Sequence, residues 1–268
     1  MRCAVLGAPI GHSLSPVLHT TAYAALGLDW TYERREVTEA TLPGVLDGLD
    51  ASWRGLSLTM PLKRAVLPLL DQVSEQVRRA GAVNTVLLGP EGRSGDNTDV
   101  PGAAAALRER WVGSVERAVV VGGGATAASV GLALADLGCR HLTLLVRDPV
   151  RAEPTVAVLR GHPAAPTVVV RTSLDEGADV LVSTVPATAQ GAATGLAGSV
   201  GVVFDVVYDP WPTPLARAAV RSGAVLVSGL DLLVHQAALQ VRLMTGLDAP
   251  LAAMRSAGEQ RLAGTWPG

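Results

Sequence analysis

The stretch "ERAVVVGGGATAASVGLALADLG" (Glu116–Gly138) decides the fold of the central part of the chain. An apolar run, three glycines and a small-residue pattern that ends at Gly138 predict a buried strand, a tight turn and a helix. Small residues in such a turn let the backbone approach a pyrophosphate, and the N–H groups at the start of the helix face the anion. The residues predicted to bind the dinucleotide are Gly122, Gly123, Gly124, Ala125 and Thr126.

Further predicted strands follow this turn. The second is "HLTLLVRDP" (His141–Pro149), and the later runs "TVVV", "ADVLVST", "VGVVFDVV" and "AVLVSG" are equally apolar. Near-continuous Val and Leu strands separated by crossovers are typical of a parallel sheet that is covered on both faces. We therefore predict an α/β protein with a Rossmann-type domain over residues 100–234.

The end of the second strand indicates the coenzyme. NAD enzymes usually carry Asp or Glu there, whereas an arginine accommodates the 2′-phosphate of NADP. This chain has Arg147 at that point and Arg151 four residues later, and two guanidiniums can clamp a phosphate dianion. NADP is therefore the predicted coenzyme. The alternative is that the arginines are ordinary surface charges that pair with Asp148 and Glu153.

The first third of the chain alternates short strands and helices, which predicts a second α/β unit. Predicted strands are Arg2–Gly7, Trp30–Val37 and Leu56–Thr59, with a hairpin formed by Ala82–Leu88 and Gly92–Asp96. Predicted helices are Ser15–Leu26 with Ser15 as N-cap, a helix that Pro61 begins, and Pro101–Trp111. Two helices at the end, Leu232–Met244 and Pro250–Ala263, have no nearby strand partner, so the sequence leaves open which unit they pack on.

Composition excludes several classes of function. The chain is 49% apolar and 17% charged, with a net charge of -2, which gives no field for nucleic acid or an anionic membrane. No apolar run is long enough for a bilayer span, and the N-terminus is predicted to be a strand instead of a signal peptide. Cys3 and Cys139 lack metal-ligand spacing, so we expect no metal and a reduced, cytoplasmic protein.

One lysine stands out against this background. The chain uses arginine everywhere except at Lys63, and its two asparagines are Asn84 and Asn97. If a coding bias replaced lysine and asparagine elsewhere, the one lysine and two asparagines that remain mark positions where another residue cannot supply the required chemistry. The same region and the loop after the first strand carry hydroxyls, amides and a carboxylate. Such groups suit a small polyol better than a lipid.

Seven segments, in order, resemble the shikimate dehydrogenase family, which reduces 3-dehydroshikimate with NADPH. They are "GAPIGHSLSP", "SLTMPLK", "GAVNT", "DNTD", the glycine turn, "YDPWPTPL" and "GLDLLVHQA". The resemblance implies an N-terminal α/β substrate domain (1–99), the NADP-binding domain (100–234) and a C-terminal helix that returns to the first domain, so that 235–268 pack back on it. It leaves open whether the chain is a monomer or a homodimer.

The resemblance also implies a role for each matching residue. Ser13 and Ser15 hold the substrate carboxylate with help from Tyr208, and Thr59 lies near the same end. The ring hydroxyls are read by Asn84, Asp99 and Gln236. Lys63 is the catalytic acid and base, next to Asp99. Arg147 and Arg151 bind the coenzyme phosphate, while Val206 and Gly229 present backbone groups to the nicotinamide.

Two positions depart from the commonest family pattern. The family often has Asn where this chain has Ser57. Serine is shorter and offers a hydroxyl instead of an amide, so we do not expect residue 57 to contact the substrate directly as the asparagine would. The family segment "NRT" is "VRD" here, which keeps Arg147 and adds Asp148.

The proposed chemistry explains why a lysine is needed. Reduction of a ketone requires a hydride on carbon, which the coenzyme carries, and a proton on oxygen. Arginine stays charged at any working pH, whereas lysine gives up a proton once its surroundings lower its pKa from about 10.4. Asp99 favours the charged form, so its predicted task is to orient Lys63 and share a substrate hydroxyl.

Three alternatives remain at this point. A quinate/shikimate dehydrogenase that uses NAD shares these motifs, and a non-catalytic NADP-binding regulator shares the fold. A methylene-tetrahydrofolate dehydrogenase has two domains as well, but the hydroxyl-rich N-terminal loop disfavours a pterin site.

Overall fold

The computed structural model describes residues 1–173 and 177–263, so the parts of the predicted domains at 174–176 and 264–268 lie outside the described residues. The chain forms two compact units. The first contains Met1–Thr98 and the chain from Leu233 onward, and the second contains Asp99–Leu232. Each unit is an α/β structure in its own right, which confirms the predicted fold class.

The first unit is built on a mixed sheet of six strands. Its strands are β1 (Arg2–Gly7), β2 (Thr31–Glu36), β3 (Trp53–Leu58), β4 (Gln72–Val73), β5 (Thr85–Gly89) and β6 (Gly92–Asp96), in the order β2-β1-β3-β5-β6-β4. Its N-terminal helices are α1 (Ser15–Ala25), α2 (Leu42–Asp47), α3 (Leu62–Ala65) and α4 (Glu75–Ala80), with a 3₁₀ turn at Leu67–Leu69. β1 pairs in parallel with β2 and β3, whereas β5 is antiparallel to both β3 and β6.

The second unit is the predicted parallel sheet. Its strands are β7 (Arg117–Val121), β8 (His141–Leu145), β9 (Thr167–Arg171), β10 (Val180–Ser183), β11 (Val202–Asp205) and β12 (Val225–Ser228), in the order β12-β11-β10-β7-β8-β9. Its helices are α5 (Asp99–Arg110), α6 (Ala125–Asp136), α7 (Pro149–Arg160), α8 (Gly191–Leu196) and α9 (Pro214–Ser222), with 3₁₀ turns at Ala187–Ala189 and Ala197–Ser199. Every described strand pair is parallel, and the sheet order reverses next to β7, where a doubly wound fold binds its ligand.

The last two helices are α10 (Gly229–Thr245) and α11 (Leu251–Ala263). α10 begins in the second unit and continues in the first from Leu233. α11 contacts α1 of the first unit. The sequence left the position of these helices open, and the structure confirms the returning C-terminal helix that the family resemblance implied.

Two local predictions need correction. Ser15 is the first residue of α1 instead of its N-cap, which is Leu14, and the Ser15 hydroxyl bonds to Tyr32 instead of capping the helix. The first hairpin strand begins at Thr85 instead of Ala82, because the Val83 N–H donates to the Lys63 carbonyl at 2.7 Å and leaves the ladder. The sequence analysis also missed α2, β4 and α4, although the Ser74 side chain caps α4 by accepting from the Val77 N–H.

Cys3 and Cys139 are both buried and form no disulfide. Over the described ranges, no helix is both long and apolar enough to cross a bilayer. In the same part of the chain, His, Cys, Asp and Glu side chains nowhere gather in a group of three that would suit a metal ion.

Candidate substrate and coenzyme sites

In the first unit, the loops after β1 and β3 are packed against each other. The Ala8 N–H donates to the Met60 carbonyl at 3.0 Å, and the Thr59 N–H donates to the Leu6 carbonyl at 2.9 Å. A side chain at Gly7 would overlap Thr59 Cγ2 and lie 2.9 Å from the Met60 oxygen, so only glycine permits this approach. The packing brings the loop that carries the two predicted serines to the strand end that carries Thr59.

The predicted carboxylate-binding serines are held by their own loop. Ser13 and Ser15 are both buried. Arg34 on β2 donates from Nε to the Ser13 carbonyl at 2.8 Å, which ties the loop to the edge of the sheet. The Ser15 hydroxyl interacts with the hydroxyl of Tyr32, also on β2. The loop is therefore a preorganised set of hydroxyl and N–H groups, which suits an anionic carboxylate.

Asn84 lies at the centre of the polar network in this unit and is 1% exposed. Its Nδ2 donates to Thr98 Oγ1 and to Gln236 Oε1, both at 2.9 Å. Its Oδ1 accepts from the Thr98 N–H at 2.8 Å and from the Thr85 hydroxyl at 2.8 Å. The structure thus joins two of the predicted hydroxyl-reading residues, Asn84 on the β-hairpin and Gln236 on α10.

The two predicted catalytic residues lie in the first turns of helices, Lys63 in the short α3 and Asp99 in the longer α5. Lys63 is half-buried in the first turn of α3, and its carbonyl accepts from the Val83 N–H, next to Asn84. Asp99 is 4% exposed and starts α5, directly after Thr98. A carboxylate is favourable at a helix N-terminus because the N–H groups there are unpaired. Asn84 is therefore linked on one side to the Lys63 segment and on the other to the residue before Asp99.

In the second unit, the three glycines of the turn have different tasks. Gly122 has φ of +118°, and a side chain there would overlap Thr184 Oγ1. A Cβ on Gly123 would lie 2.8 Å from the Ala152 Cβ of α7, so this position is needed for close packing. Gly124 caps α6, and a Cβ there would meet no atom within 4 Å. Only Gly124 therefore leaves open space in front of the N-terminus of α6.

A side chain of α7 holds the carbonyl groups of this turn in place. The Thr155 hydroxyl donates to the Gly123 carbonyl at 2.7 Å and to the Gly124 carbonyl at 3.2 Å. With the carbonyls held on that side, the N–H groups that begin α6, at Ala125 and Thr126, are directed to the other. The arrangement suits a pyrophosphate, as the G-x-G-x-x-A pattern predicts.

The arginines at the end of β8 differ from Asp148 in their contacts. Asp148 is the N-cap of α7 and accepts from the N–H groups of Val150 and Arg151 at 3.1 and 3.3 Å. Arg147 and Arg151 are exposed, and within 1–173 and 177–263 neither forms an ion pair with an acidic side chain. The alternative in which Asp148 or Glu153 neutralises them therefore has no support in the structure.

The predicted nicotinamide residues lie at the carboxyl ends of β11 and β12. A side chain at Gly229 would overlap the Val206 carbonyl oxygen, so these two backbones are in direct contact. Below them, the buried Asp205 accepts from Gln190 Nε2 at 2.9 Å and from the Thr213 hydroxyl. Burial raises the pKa of the Asp205 carboxyl. Tyr208 is half-buried in the loop that this cluster supports.

One part of the polar network in the first unit was not predicted from the sequence. Gln240 on α10 bonds to Ser57, Asn84 and Thr85, and Tyr32 and His19 complete the same cluster. Burial lowers the pKa of His19 to about 3, so this histidine is neutral. The signal in the sequence was the i, i+4 spacing of Gln236 and Gln240, which places both amides on one face of a helix.

Comparisons with known proteins identify the family of this chain. Residues 5–86 match the family described as shikimate dehydrogenase substrate binding domain, and residues 229–257 match the shikimate 5'-dehydrogenase C-terminal domain. A relative from Moorella thermoacetica named shikimate dehydrogenase (NADP(+)) is 37% identical, over 94% of this chain and 90% of its own length. A relative of the same name from Thermus thermophilus is also 37% identical, over 98% of this chain and 99% of its own.

Solved structures give the same result. Shikimate dehydrogenase from Mycobacterium tuberculosis has a TM-score of 0.87 at 40% identity, with 98% of both chains covered. The Thermus thermophilus enzyme in complex with NADP(H) and shikimate has a TM-score of 0.86 at 34% identity, covering 97% of this chain and 99% of that chain. A quinate dehydrogenase from Corynebacterium glutamicum in complex with NAD has a TM-score of 0.85 at 31% identity, covering 97% and 99%. The chain belongs to the shikimate dehydrogenase family.

Proposed function

We propose that this chain is an NADP-dependent shikimate dehydrogenase, which interconverts 3-dehydroshikimate plus NADPH and shikimate plus NADP⁺. The observation that carries the proposal is the buried amide and hydroxyl network of the first unit, centred on Asn84 and Gln236 and attached to the segment of the only lysine. The relatives named shikimate dehydrogenase (NADP(+)) and the neighbour bound to NADP(H) and shikimate support it.

The substrate contacts follow from the chemistry of each group. Ser13 and Ser15 bind the carboxylate from a loop that Arg34 holds in place. Thr59 lies at the adjacent strand end, and Tyr208 is proposed as a further carboxylate contact. Asn84, Gln236 and Asp99 read the ring hydroxyls. Both Asn84 Nδ2 hydrogens are already donated, so a ring hydroxyl that binds there has to replace one of the two present partners. One of these partners is Gln236, which is itself a proposed substrate contact.

Lys63 is proposed to move the proton. When shikimate is oxidised, the hydroxyl proton passes to the Lys63 amine as the C–H bond breaks, and in the reverse direction the ammonium returns it to the carbonyl oxygen. NADP⁺, when bound, accepts the hydride from that carbon. Asp99 is proposed to orient the amine and to share a substrate hydroxyl.

The coenzyme residues fit NADP better than NAD. The open space in front of Gly124 and the N–H groups that begin α6 suit the pyrophosphate. Val206 and Gly229 are proposed to meet the nicotinamide through their backbones. Arg147 and Arg151 are exposed and form no ion pair with a carboxylate of the described residues, so they are available for a 2′-phosphate. Asp148, which would otherwise favour a ribose hydroxyl, is engaged as the cap of α7.

A four-way assay tests the proposal. Reduction of the coenzyme is followed at 340 nm with shikimate or quinate as substrate and with NADP⁺ or NAD⁺ as coenzyme. We expect the highest kcat/KM for shikimate with NADP⁺. A preference for quinate with NAD⁺ would assign the chain to the other dehydrogenase type, and coenzyme binding without turnover would indicate a regulator.

We also propose that the chain acts in the cytoplasm, without a nucleic-acid partner, as a monomer or homodimer. The support is the net charge of -2 and the two buried cysteines, which form no disulfide. Light scattering after gel filtration distinguishes the two states, and a larger assembly would contradict both.

A further inference from the structure

We propose that Gln240 is a positioning residue that, through Ser57 and Tyr32, couples the carboxylate-binding loop to Asn84 and so sets the geometry for substrate recognition. The inference rests on the proposed function, because it concerns the same substrate site. The residue lies on α10, one turn beyond Gln236, and bonds to Asn84, which is one of the proposed ligand contacts.

The first step is that every hydrogen-bonding group of the Gln240 amide is in use. The side chain is 1% exposed. Its Oε1 accepts from the Ser57 hydroxyl at 2.8 Å and from His19 Nε2 at 3.3 Å. Its Nε2 donates to the Asn84 carbonyl and to Thr85 Oγ1, both at 3.0 Å. Since a main-chain carbonyl can only accept, the amide is held in one orientation.

The second step is that Gln240 acts on both ends of Asn84. It binds the Asn84 main-chain carbonyl directly. It also binds Thr85 Oγ1, and this hydroxyl donates its own hydrogen to Asn84 Oδ1 at 2.8 Å. The position of the Asn84 side chain therefore depends on Gln240 through two separate hydrogen-bonded routes.

The third step connects this amide to the serine loop. The Tyr32 hydroxyl donates to Ser57 Oγ at 2.5 Å, and Ser57 in turn donates to Gln240. Tyr32 also interacts with Ser15, one of the proposed carboxylate contacts. The Ser57 hydroxyl thus donates one hydrogen bond and accepts another inside the protein. Its role is to link the two ends of the substrate site, which explains how a short side chain functions at a position where Asn is common in the family.

The fourth step is the stacking that keeps Tyr32 in place. The His19 ring lies 4.0 Å from the Tyr32 ring, with an interplanar angle of 16°. Burial keeps His19 neutral, and because Gln240 Oε1 can only accept, the ring hydrogen is on Nε2. The cluster thus has a single consistent pattern of donors and acceptors, which is the condition for rigid positioning.

Two variants of residue 240 test the inference. Gln240→Leu removes all four hydrogen bonds with little change in volume, and Gln240→Glu keeps the shape but replaces the donor group with oxygen. For both we expect kcat/KM for shikimate to fall about tenfold or more, mainly through KM, with KM for NADP⁺ within about twofold of wild type. The matched control is Leu46→Ala, which opens a cavity in the core of the same unit without touching the polar network.

A spectroscopic readout separates this inference from the proposed function. Because the chain contains two asparagines, labelling with ¹⁵N-asparagine gives two side-chain amide pairs, one from Asn84 and one from Asn97. In both Gln240 variants the NMR signals of the Asn84 side-chain amide should shift or broaden, while those of Asn97 stay unchanged. This result does not depend on whether shikimate is the substrate. If a Gln240 variant does not fold, Ser57→Ala, which removes one bond to Gln240, is measured instead.

Three results would overturn the inference. They are an unchanged Asn84 amide pair, an unchanged KM for shikimate, or a rise in KM that Leu46→Ala reproduces. If the wild-type protein itself does not oxidise shikimate, the proposed function is overturned instead. The amide spectra then still decide whether Gln240 positions Asn84.

Discussion

The two units build their sites in different ways. In the first unit, polar side chains such as Asn84 and Gln236 form the candidate substrate site, and Gln240 holds Asn84 in place. In the second unit, the backbone forms the candidate pyrophosphate and nicotinamide contacts, and polar side chains such as Thr155 and Asp205 brace it. The proposed side-chain contacts to the coenzyme are the two arginines at its phosphate. The difference matches the ligands, because a pyrophosphate needs N–H groups and space, whereas a ring with several hydroxyls needs donors and acceptors at defined positions.

The comparison predicts opposite sensitivities to mutation. Function in the first unit should be lost when a polar group is removed. Function in the second unit should be lost when atoms are added where the backbone approaches the coenzyme. The following predictions test this contrast.

The largest expected effect is at Lys63. Lys63→Ala should lower turnover by about 10²- to 10⁴-fold, because it removes the group that moves the proton. Lys63→Arg should be almost as inactive, since a guanidinium does not give up its proton. The matched control is Arg64→Ala, at the neighbouring basic residue of α3, which should stay near wild type. Steady-state kinetics and calorimetric NADP⁺ binding check the result, and full activity in Lys63→Ala would remove the assignment.

The next effect is at Gly124. A Cβ there meets no protein atom, so Gly124→Ala should fold with an unchanged melting temperature. The added methyl lies in front of the α6 N-terminus, and we expect KM for NADP⁺ to rise about 10- to 100-fold through weakened contacts to the pyrophosphate.

Gly123→Ala is the internal comparison. Its Cβ would lie 2.8 Å from the Ala152 Cβ, so this variant should lose stability as well as affinity. If Gly124→Ala binds NADP⁺ normally, the pyrophosphate does not lie at this turn.

A smaller effect is expected at Arg147. Arg147→Ala should raise KM for NADPH about tenfold, through loss of a charge-assisted hydrogen bond to the 2′-phosphate, and leave KM for NADH nearly unchanged. Arg160→Ala, in the last turn of α7, serves as the control for a general loss of positive charge. Equal effects of Arg147→Ala on both coenzymes would show that this arginine does not bind the phosphate.

The smallest effect concerns acid stability. The folded pKa of His19 is about 3, below the value of about 6.5 in the unfolded chain, so the unfolded state binds more protons as pH falls. The free energy of unfolding should therefore drop by about 1 kcal/mol from this group between pH 6.5 and 5.5, and continue to fall towards pH 3.

Urea unfolding at several pH values measures this slope. His19→Gln should flatten the slope relative to wild type, whereas His141→Gln, at an exposed histidine, should leave it unchanged. An unaltered slope in His19→Gln would mean that His19 is protonated in the folded protein.

The sequence predicted the second unit better than the first. Its parallel strands are continuous apolar runs, and the glycine turn has a local physical signature. The hydrogen-bond network of the first unit is centred on Asn84. The partners of this residue lie far from it in the chain and are Thr98, Gln236 and Gln240. The i, i+4 spacing places Gln236 and Gln240 on one face of α10, but it does not tell which side chains that face meets. Gln240 and Tyr32 were therefore missed, although the family resemblance named Asn84 and Gln236. Ser15 was predicted as a cap because the partner of its hydroxyl, Tyr32, lies on β2 and is not adjacent in the sequence.

The most direct test uses the single lysine. Amine-specific acetylation has two targets in this chain, Lys63 and the N-terminal amine, and mass spectrometry counts each separately. We predict that loss of shikimate oxidation follows the acetylated fraction of Lys63 one to one, and that bound shikimate slows both. Full turnover by protein that is completely acetylated at Lys63 would contradict the account.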